Sequence, residues 1–362
     1  MIDYKDYVVL NGLKQRIHVK GTSQDNPILL FLHGGPGVTN RHFVIGSNSD
    51  LCDAFTIVAW DQRGTCGSYE GCKKETLTVS NMVEDASELV NYLCRKYNKD
   101  KMFIIGGSWG SCLGTLLAKR HPEHIAGYIG FGQMVDGPLN EELSYKFARE
   151  EALKHDDKKA VSILDELGMP VNGVYKTGYD GMMAQRRIMM KYGGYSQDKA
   201  KRSYFSSMVV PVLKSGEYTF KEIIGFVKGY QFVLRAMWDE VAGINLLKET
   251  EGKIDVPYFI LDGRLDNNTP ASLVQDYYEK LEAPQKDLIW FETAGHNPLG
   301  DCPEEFKKAI REKLLPIAEK ADCRLTTTLR QRADCPTPFG STGCVTPEFQ
   351  TDYAAFYSLA GP

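Results

Sequence analysis

No run of eighteen apolar residues occurs in the 362-residue chain, so no membrane-spanning helix is expected. The opening stretch, MIDYKDYVVL, lacks the basic-then-apolar pattern of an export signal, and secretion is not expected. Positive charge is not in excess: 43 Lys and Arg stand against 47 Asp and Glu, a net charge of −4. That balance argues against holding nucleic acid by electrostatics. The nine cysteines are odd in number and contain no C-x-x-C pair. They read as reduced thiols of a cytoplasmic protein, with no zinc or other metal site. Internal repeats are absent too.

What is present centres on residues 101–122, KMFIIGGSWGSCLGTLLAKRHP. Residues 102–105 form a short apolar run that reads as a buried strand. Gly106-Gly107-Ser108-Trp109-Gly110 fits G-x-S-x-G, and an apolar periodic run follows it. Strand, tight turn and helix together make the context of a nucleophile elbow. Side chains two residues either side of the serine would collide across such a turn, and Gly106 and Gly110 avoid that. The helix after Ser108 points its N-terminus at the site and favours negative charge there.

Around this stretch strands and helices alternate. Asn11-Gly12 reads as the turn of an opening hairpin. Residues 28–32, 55–60, 125–131, 256–261 and 287–291 read as further strands. Met82, Ala86, Leu89, Val90, Leu93 and Tyr97 recur at helical spacing, and residues 270–281 and 303–318 read as later helices. The pattern implies an α/β fold with a mostly parallel central sheet and helices on both faces. The alternation stops over 136–251, which is rich in charged helical runs, methionine and tyrosine. It is expected to be a helical cap inserted into a core of residues 1–135 and 252–321, its last long helix beginning near Phe226 and kinked near Gly229. Residues 322–362 are rich in Thr, Pro, Gly and Ser and are expected to form a poorly ordered tail without a catalytic role.

Sites in such sheets lie past the carboxyl ends of the strands. His33-Gly34-Gly35-Pro36-Gly37, Asp61-Gln62-Arg63-Gly64, Ser108, Asp266 and His296 all follow predicted strands. A serine hydroxyl becomes nucleophilic when a base takes its proton, and the base is usually a histidine held by a carboxylate. Ser108, Asp266 and His296 occur in the chain order of that arrangement on this type of sheet. Of seven histidines, only His42 rivals His296. Asp262 reads as a tether for its loop, and Asp136 as a further substitute for Asp266. Two backbone N–H groups must hold the oxyanion. Trp109 follows the serine, and Gly35 is the second choice because Pro36 has no N–H. His33 and Arg63 are expected to brace their loops.

HGGPG at 33–37, DQRG at 61–64, GGSWGS at 106–111, DGRLD at 262–266 and AGHNP at 294–298 together resemble the α/β-hydrolase fold, and within it the proline iminopeptidase family. The resemblance covers roughly residues 5–320. It implies a helical cap over a serine triad of Ser108, Asp266 and His296, with Gly35 and Trp109 as oxyanion donors. The activity it implies is cofactor-free release of an N-terminal residue, often proline, from short peptides. Family peptidases hold the substrate's amine with glutamates of the cap or one beside the triad aspartate. Here Asn267 follows Asp266, and Asp239 and Glu240 are the substitutes considered, with Gln133 as a further substrate contact. Cys66 stands where DQRG-x-G usually has its second glycine. An esterase or amidase acting on small non-peptide acyl groups is the alternative, and an inert binding module a more distant one. An epoxide hydrolase would carry an aspartate at Ser108.

Overall fold

The computed structural model describes residues 1–201, 203 and 208–333. The chain opens with β1 (Ile2–Leu10) and β2 (Leu13–Gly21), then β3 (Ile28–Leu32) and β4 (Thr56–Trp60). Then come α1 (Val79–Tyr97), β5 (Met102–Gly107), α2 (Trp109–Arg120) and β6 (Ile125–Phe131). Among the described residues six helices follow without a strand: α3 (Gly137–Lys154), α4 (Lys158–Leu167), α5 (Tyr179–Lys191), α6 (Val210–Lys214), α7 (Phe220–Ala242) and α8 (Leu246–Thr250). β7 (Tyr258–Gly263), α9 (Ala271–Lys280), β8 (Lys286–Phe291), α10 (Pro298–Asp301) and α11 (Pro303–Ala333) complete the described chain.

The eight strands form one sheet in the order β1-β2-β4-β3-β5-β6-β7-β8. β1 and β2 are an antiparallel hairpin, and β2 pairs antiparallel with β4. Every later pairing is parallel. Asn11 and Gly12 take φ of 43° and 76°, the left-handed pair that a two-residue hairpin turn requires. β3 is buried on both faces: Leu30 and Leu32 pack into one core layer, Leu29 and Phe31 into the other. That two-sided burial is why the inner strands read as unbroken apolar runs. α1, α2 and α9 cover the first face; α11, with the helical turns around Val44 and Leu51, covers the second. The Thr78 hydroxyl caps α1 by accepting from Asn81 N, and Asn98 ends it in the left-handed region.

The chain enters and leaves the inserted helices side by side. Gly137 N donates to Ile244 O (2.7 Å) and Leu246 N to Val135 O (2.8 Å). α3, α4, α5 and α7 share a small core of their own around Met182, Met189 and Leu164. α7 also leans on the main body. At Gly225 and Gly229 an added Cβ would lie 2.1 Å from Cys66 O and 2.3 Å from Gly64 O. Glycine lets the helix backbone seat on the loop here, and α7 is one helix through Gly229. It starts earlier than the sequence suggests, at a Thr219–Glu222 capping box.

Two compact units divide the chain, residues 1–319 and 320–362. Within the second, the described residues up to Ala333 are helical, where a non-periodic tail was expected. The remaining tail, 334–362, lies outside the described residues. No helix among them is long and apolar enough to cross a membrane.

Candidate active site

Ser108 stands at the tip of the β5–α2 turn with φ 55° and ψ −124°. Such a φ is strained for a residue with a side chain, and the surroundings hold it. Ser108 N donates to Phe131 O (2.9 Å), and Ser111 N donates to Ser108 O (2.8 Å). A Cβ on Gly106 would fall 2.1 Å from Gly110 O, across the turn. One on Gly110 would fall 2.1 Å from Leu32 O, on the neighbouring strand. The serine is therefore driven forward, half-buried, into a cavity of about 610 Å³.

His296 and Asp266 reach the same cavity edge from the ends of β8 and β7. His296 Nδ1 lies 2.8 Å from Asp266 Oδ2. Oδ2 also accepts from Thr269 Oγ1 (2.6 Å), while Oδ1 accepts from Asn268 N (2.7 Å) and Thr269 N (3.0 Å). This carboxylate has no freedom left, so it fixes His296 with a proton on Nδ1 and a lone pair on Nε2. Asn268 Nδ2 is 3.5 Å from one ring nitrogen and 3.2 Å from the other. Asn268 therefore packs against the imidazole on its cavity side, with Nε2 the nearer of the two nitrogens. Gly132 backs the ring: a Cβ there would sit 2.9 Å from His296 Cε1. Tyr195 packs against it with ring centroids 5.0 Å apart, and its carbonyl accepts from His296 N (2.8 Å).

The loop of residues 33–37 closes over Ser108. Gly35 has φ 113°, which only glycine adopts without strain. Gly34 packs directly on the serine; an added Cβ would be 3.1 Å from Ser108 Cβ. Among the described residues no hydrogen bond uses the N–H of Gly35 or of Trp109. Both residues line the cavity. Gln62 sets their spacing: it donates to His33 O (2.9 Å) and accepts from Trp109 Nε1 (3.0 Å). His33 Nε2 accepts from Gln62 N (3.1 Å), and its Nδ1–H donates to Gly34 O (2.9 Å). Burial pushes the His33 ring below its ordinary value, so it braces the loop as a neutral imidazole. Arg63 braces its own loop through paired 2.7 Å bonds to Asp85.

The fold has counterparts among known proteins. Residues 27–158 match the α/β hydrolase fold family. A probable aminopeptidase, YbaC of Bacillus subtilis, is 27% identical, covering 83% of this chain and 93% of that relative. A proline iminopeptidase of Thermoplasma volcanium is 24% identical over 84% of this chain and 94% of its own length. The crystal structure of a proline iminopeptidase from Mycobacterium smegmatis superposes with a TM-score of 0.62. It is 15% identical, covering 88% of this chain and 100% of that one. The protein has the α/β-hydrolase fold.

Of the other residues singled out from the sequence, His42 lines this hydrolase-fold cavity, and Gln133, Asp239, Glu240, Asp136, Asp262 and Cys66 do not. Gln133 is buried beneath it: Oε1 accepts from Tyr128 OH (3.3 Å) and Tyr258 OH (3.4 Å), and Nε2 donates to Met134 O (3.0 Å). Asp239 and Glu240 are exposed on the outer side of α7, and Glu240 accepts from Val79 N (3.1 Å). None of the three lines the cavity, so their expected substrate contacts are not formed. Asp136 caps α3. Asp262 tethers its loop by accepting from Gly132 N, Gln133 N and Gly263 N. Burial, and then the neighbouring Asp266 charge, push its carboxyl up. His42 lines the cavity, but its Nδ1 meets Tyr218 OH (2.9 Å) and not a carboxylate. Burial pushes it down to about 4. Cys66 takes the left-handed φ of 47° in place of the expected glycine. Its buried thiol donates to Glu222 O (3.4 Å), and burial pushes its pKa up, so it stays protonated.

One of the acidic residues lining the cavity, beside Asp198 and Asp301, is one the sequence did not single out, Glu141 of α3. Its residue is 2% exposed, and Arg186 and Asn140 bind Oε1. Its Oε2 is buried with no partner, and so is Trp238 Nε1 on the cavity wall. Asn140 Nδ2 also donates to Asn268 O (2.9 Å), which places this polar group next to the His296 ring. Among the described residues no cluster of His, Cys, Asp and Glu could hold a metal ion.

Proposed function

We propose that the protein is a serine hydrolase acting as an aminopeptidase of the proline iminopeptidase type, releasing N-terminal residues from short peptides. The observation that carries this reading is the Asp266–His296 pair, bonded through Nδ1 and lining the cavity into which a strained turn drives Ser108. In this mechanism Ser108 Oγ attacks the scissile carbonyl carbon while His296 Nε2 takes the hydroxyl proton. Asp266 holds the ring in the required tautomer and stabilises the imidazolium. The developing oxyanion accepts hydrogen bonds from Gly35 N–H and Trp109 N–H, and the N-terminus of α2 favours its charge. Collapse breaks the C–N bond, and His296 returns its proton to the leaving amine. Water then releases the acyl group by the same route.

The peptidase part of the reading is supported by Glu141 and by relatives named aminopeptidase and proline iminopeptidase. A buried, unpartnered carboxylate oxygen beside the base suits the α-ammonium of a substrate, one bond from the carbonyl carbon's own neighbour. The cavity's many apolar walls favour a second reading, hydrolysis of small non-peptide acyl esters or amides.

The test is hydrolysis of aminoacyl-β-naphthylamides with free and N-acetylated amines, beside p-nitrophenyl acetate and butyrate. Turnover confined to free amines, lost in Ser108→Ala with an unchanged circular dichroism spectrum, is the expected result. Ester turnover alone would favour the second reading, and full activity in Ser108→Ala would end both.

A further inference from the structure

Size and lining of the cavity bear on which N-terminal residue it takes. Its volume of about 610 Å³ lies within the range that encloses drug-sized ligands, and a prolyl group fills only a fraction of it. The polar group at Glu141 and Arg186 is not at one end of this space. Arg186 sits on α5 between Met182 and Met183, one turn before it, and Met190, one turn after. Residues at these spacings share one helix face, and all three methionines line the cavity. Trp238 and Leu234, one turn apart on α7, form a facing wall. A substrate amine held at Glu141 therefore has apolar space on both sides of it.

We propose that this space is built for a bulky apolar first residue, such as phenylalanine, leucine or methionine, in preference to proline. The proposal rests on the aminopeptidase reading above and names its substrate class. Proline's side chain is closed onto its own nitrogen. When that nitrogen binds Glu141 the ring stays at the polar group, and the flanking methionine-lined space keeps its water. A linear or aromatic side chain leaves the α-carbon in another direction and displaces that water, gaining the free energy of apolar burial. Methionine is the side chain that best adapts to several shapes, because it is unbranched and its sulfur is polarisable. Three on one helix face suit a cavity that takes more than one large residue. Met183 is the least buried of the three at 9% exposed, and it accepts a contact from Tyr230 OH at 3.4 Å.

The experiment compares kcat/KM for Phe-, Leu-, Met-, Ala- and Pro-β-naphthylamide with the full chain, beside p-nitrophenyl butyrate. The expected result is that Phe, Leu and Met exceed Pro at least tenfold. In Met183→Trp, which fills the space, the ratio of Phe to Ala turnover falls at least tenfold. Turnover of Pro within tenfold of the three large residues, or above them, overturns the proposal and leaves the aminopeptidase reading standing. An unchanged Phe-to-Ala ratio in folded Met183→Trp overturns it as well, because the preference would then arise elsewhere. Ester turnover without any aminoacyl amide turnover removes both.

Discussion

Asp266→Asn isolates what the carboxylate does for His296. Its Oδ1 accepts from two backbone N–H groups, Asn268 and Thr269, neither of which can turn into an acceptor. An asparagine must therefore keep its carbonyl oxygen there. Its NH2 is forced into the place of Oδ2, facing His296 Nδ1 and Thr269 Oγ1. His296 then accepts at Nδ1, its proton moves to Nε2, and Ser108 has no base. The geometry leaves no alternative flip, so the loss in kcat should approach the full value of a wrong tautomer, about 10⁴-fold. That is about 5 kcal/mol of transition-state stabilisation. Folding should survive, because the isosteric amide keeps both backbone bonds; the loss of charge-assisted bonding costs about 2 kcal/mol. Stopped or single-turnover assays with the best naphthylamide substrate give the rate, and thermal unfolding gives the stability. Thr269→Val, which removes a donor and keeps the carboxylate, is the control and should lose less than tenfold. A loss below tenfold in folded Asp266→Asn would refute the reasoning.

Other consequences are as direct. Gly110→Ala brings a Cβ to within 2.1 Å of the Leu32 carbonyl on a central strand, and urea denaturation should show a loss of about 3 kcal/mol or more. Glu141→Gln should raise KM for free-amine substrates at least tenfold with little change for p-nitrophenyl acetate; a uniform fall in both would assign it to stability alone. Burial would raise the Glu217 carboxyl, but hydrogen bonds from His18 and Lys5 hold it down to about 2. A folded value below the unfolded one means stability that is present above about pH 4.5 and lost as pH falls towards 2. Glu217→Gln should flatten that acid limb by on the order of 2–3 kcal/mol, read from unfolding midpoints across the range.

Much of the fold was legible because its signals are local. The inner strands are buried on both faces, so unbroken apolar runs marked them, and β3 and β6 begin and end where the runs do. Ser108, Asp266 and His296 follow strand ends on one sheet edge, and that placement together with chain order grouped them. Gln133 misled for the same reason: it follows β6, but its side chain turns down into the space left by the missing Cβ of Gly130. Asp239 and Glu240 could have been read correctly. Leu234, Trp238 and Val241 mark the buried face of α7, and helical spacing turns the two acids outward. The earlier start of α7 was also written in the sequence, as Thr219-x-x-Glu222. Glu141 was not legible. Its burial depends on Arg186, forty-five positions later on another helix, and Asn140–Glu141–Glu142 otherwise reads as an ordinary polar helix surface.

α7 shares its backbone seat with the main body at Gly225 and Gly229, and the buried Arg41 clamps its first turn through Glu222 (2.9 Å) while also bonding Asp61 (3.2 Å). A helix fastened in this way cannot melt separately from the sheet. Calorimetry on residues 1–319 should record one cooperative transition, with equal calorimetric and van't Hoff enthalpies, and protease should find no early cut within α7. Deleting the inserted helices to obtain a minimal core would strip the cover from Gly64 and Cys66 and leave Arg41 and Arg16 without their partner Glu222. For engineering, the unit of exchange is then not the whole insertion but the part before α7.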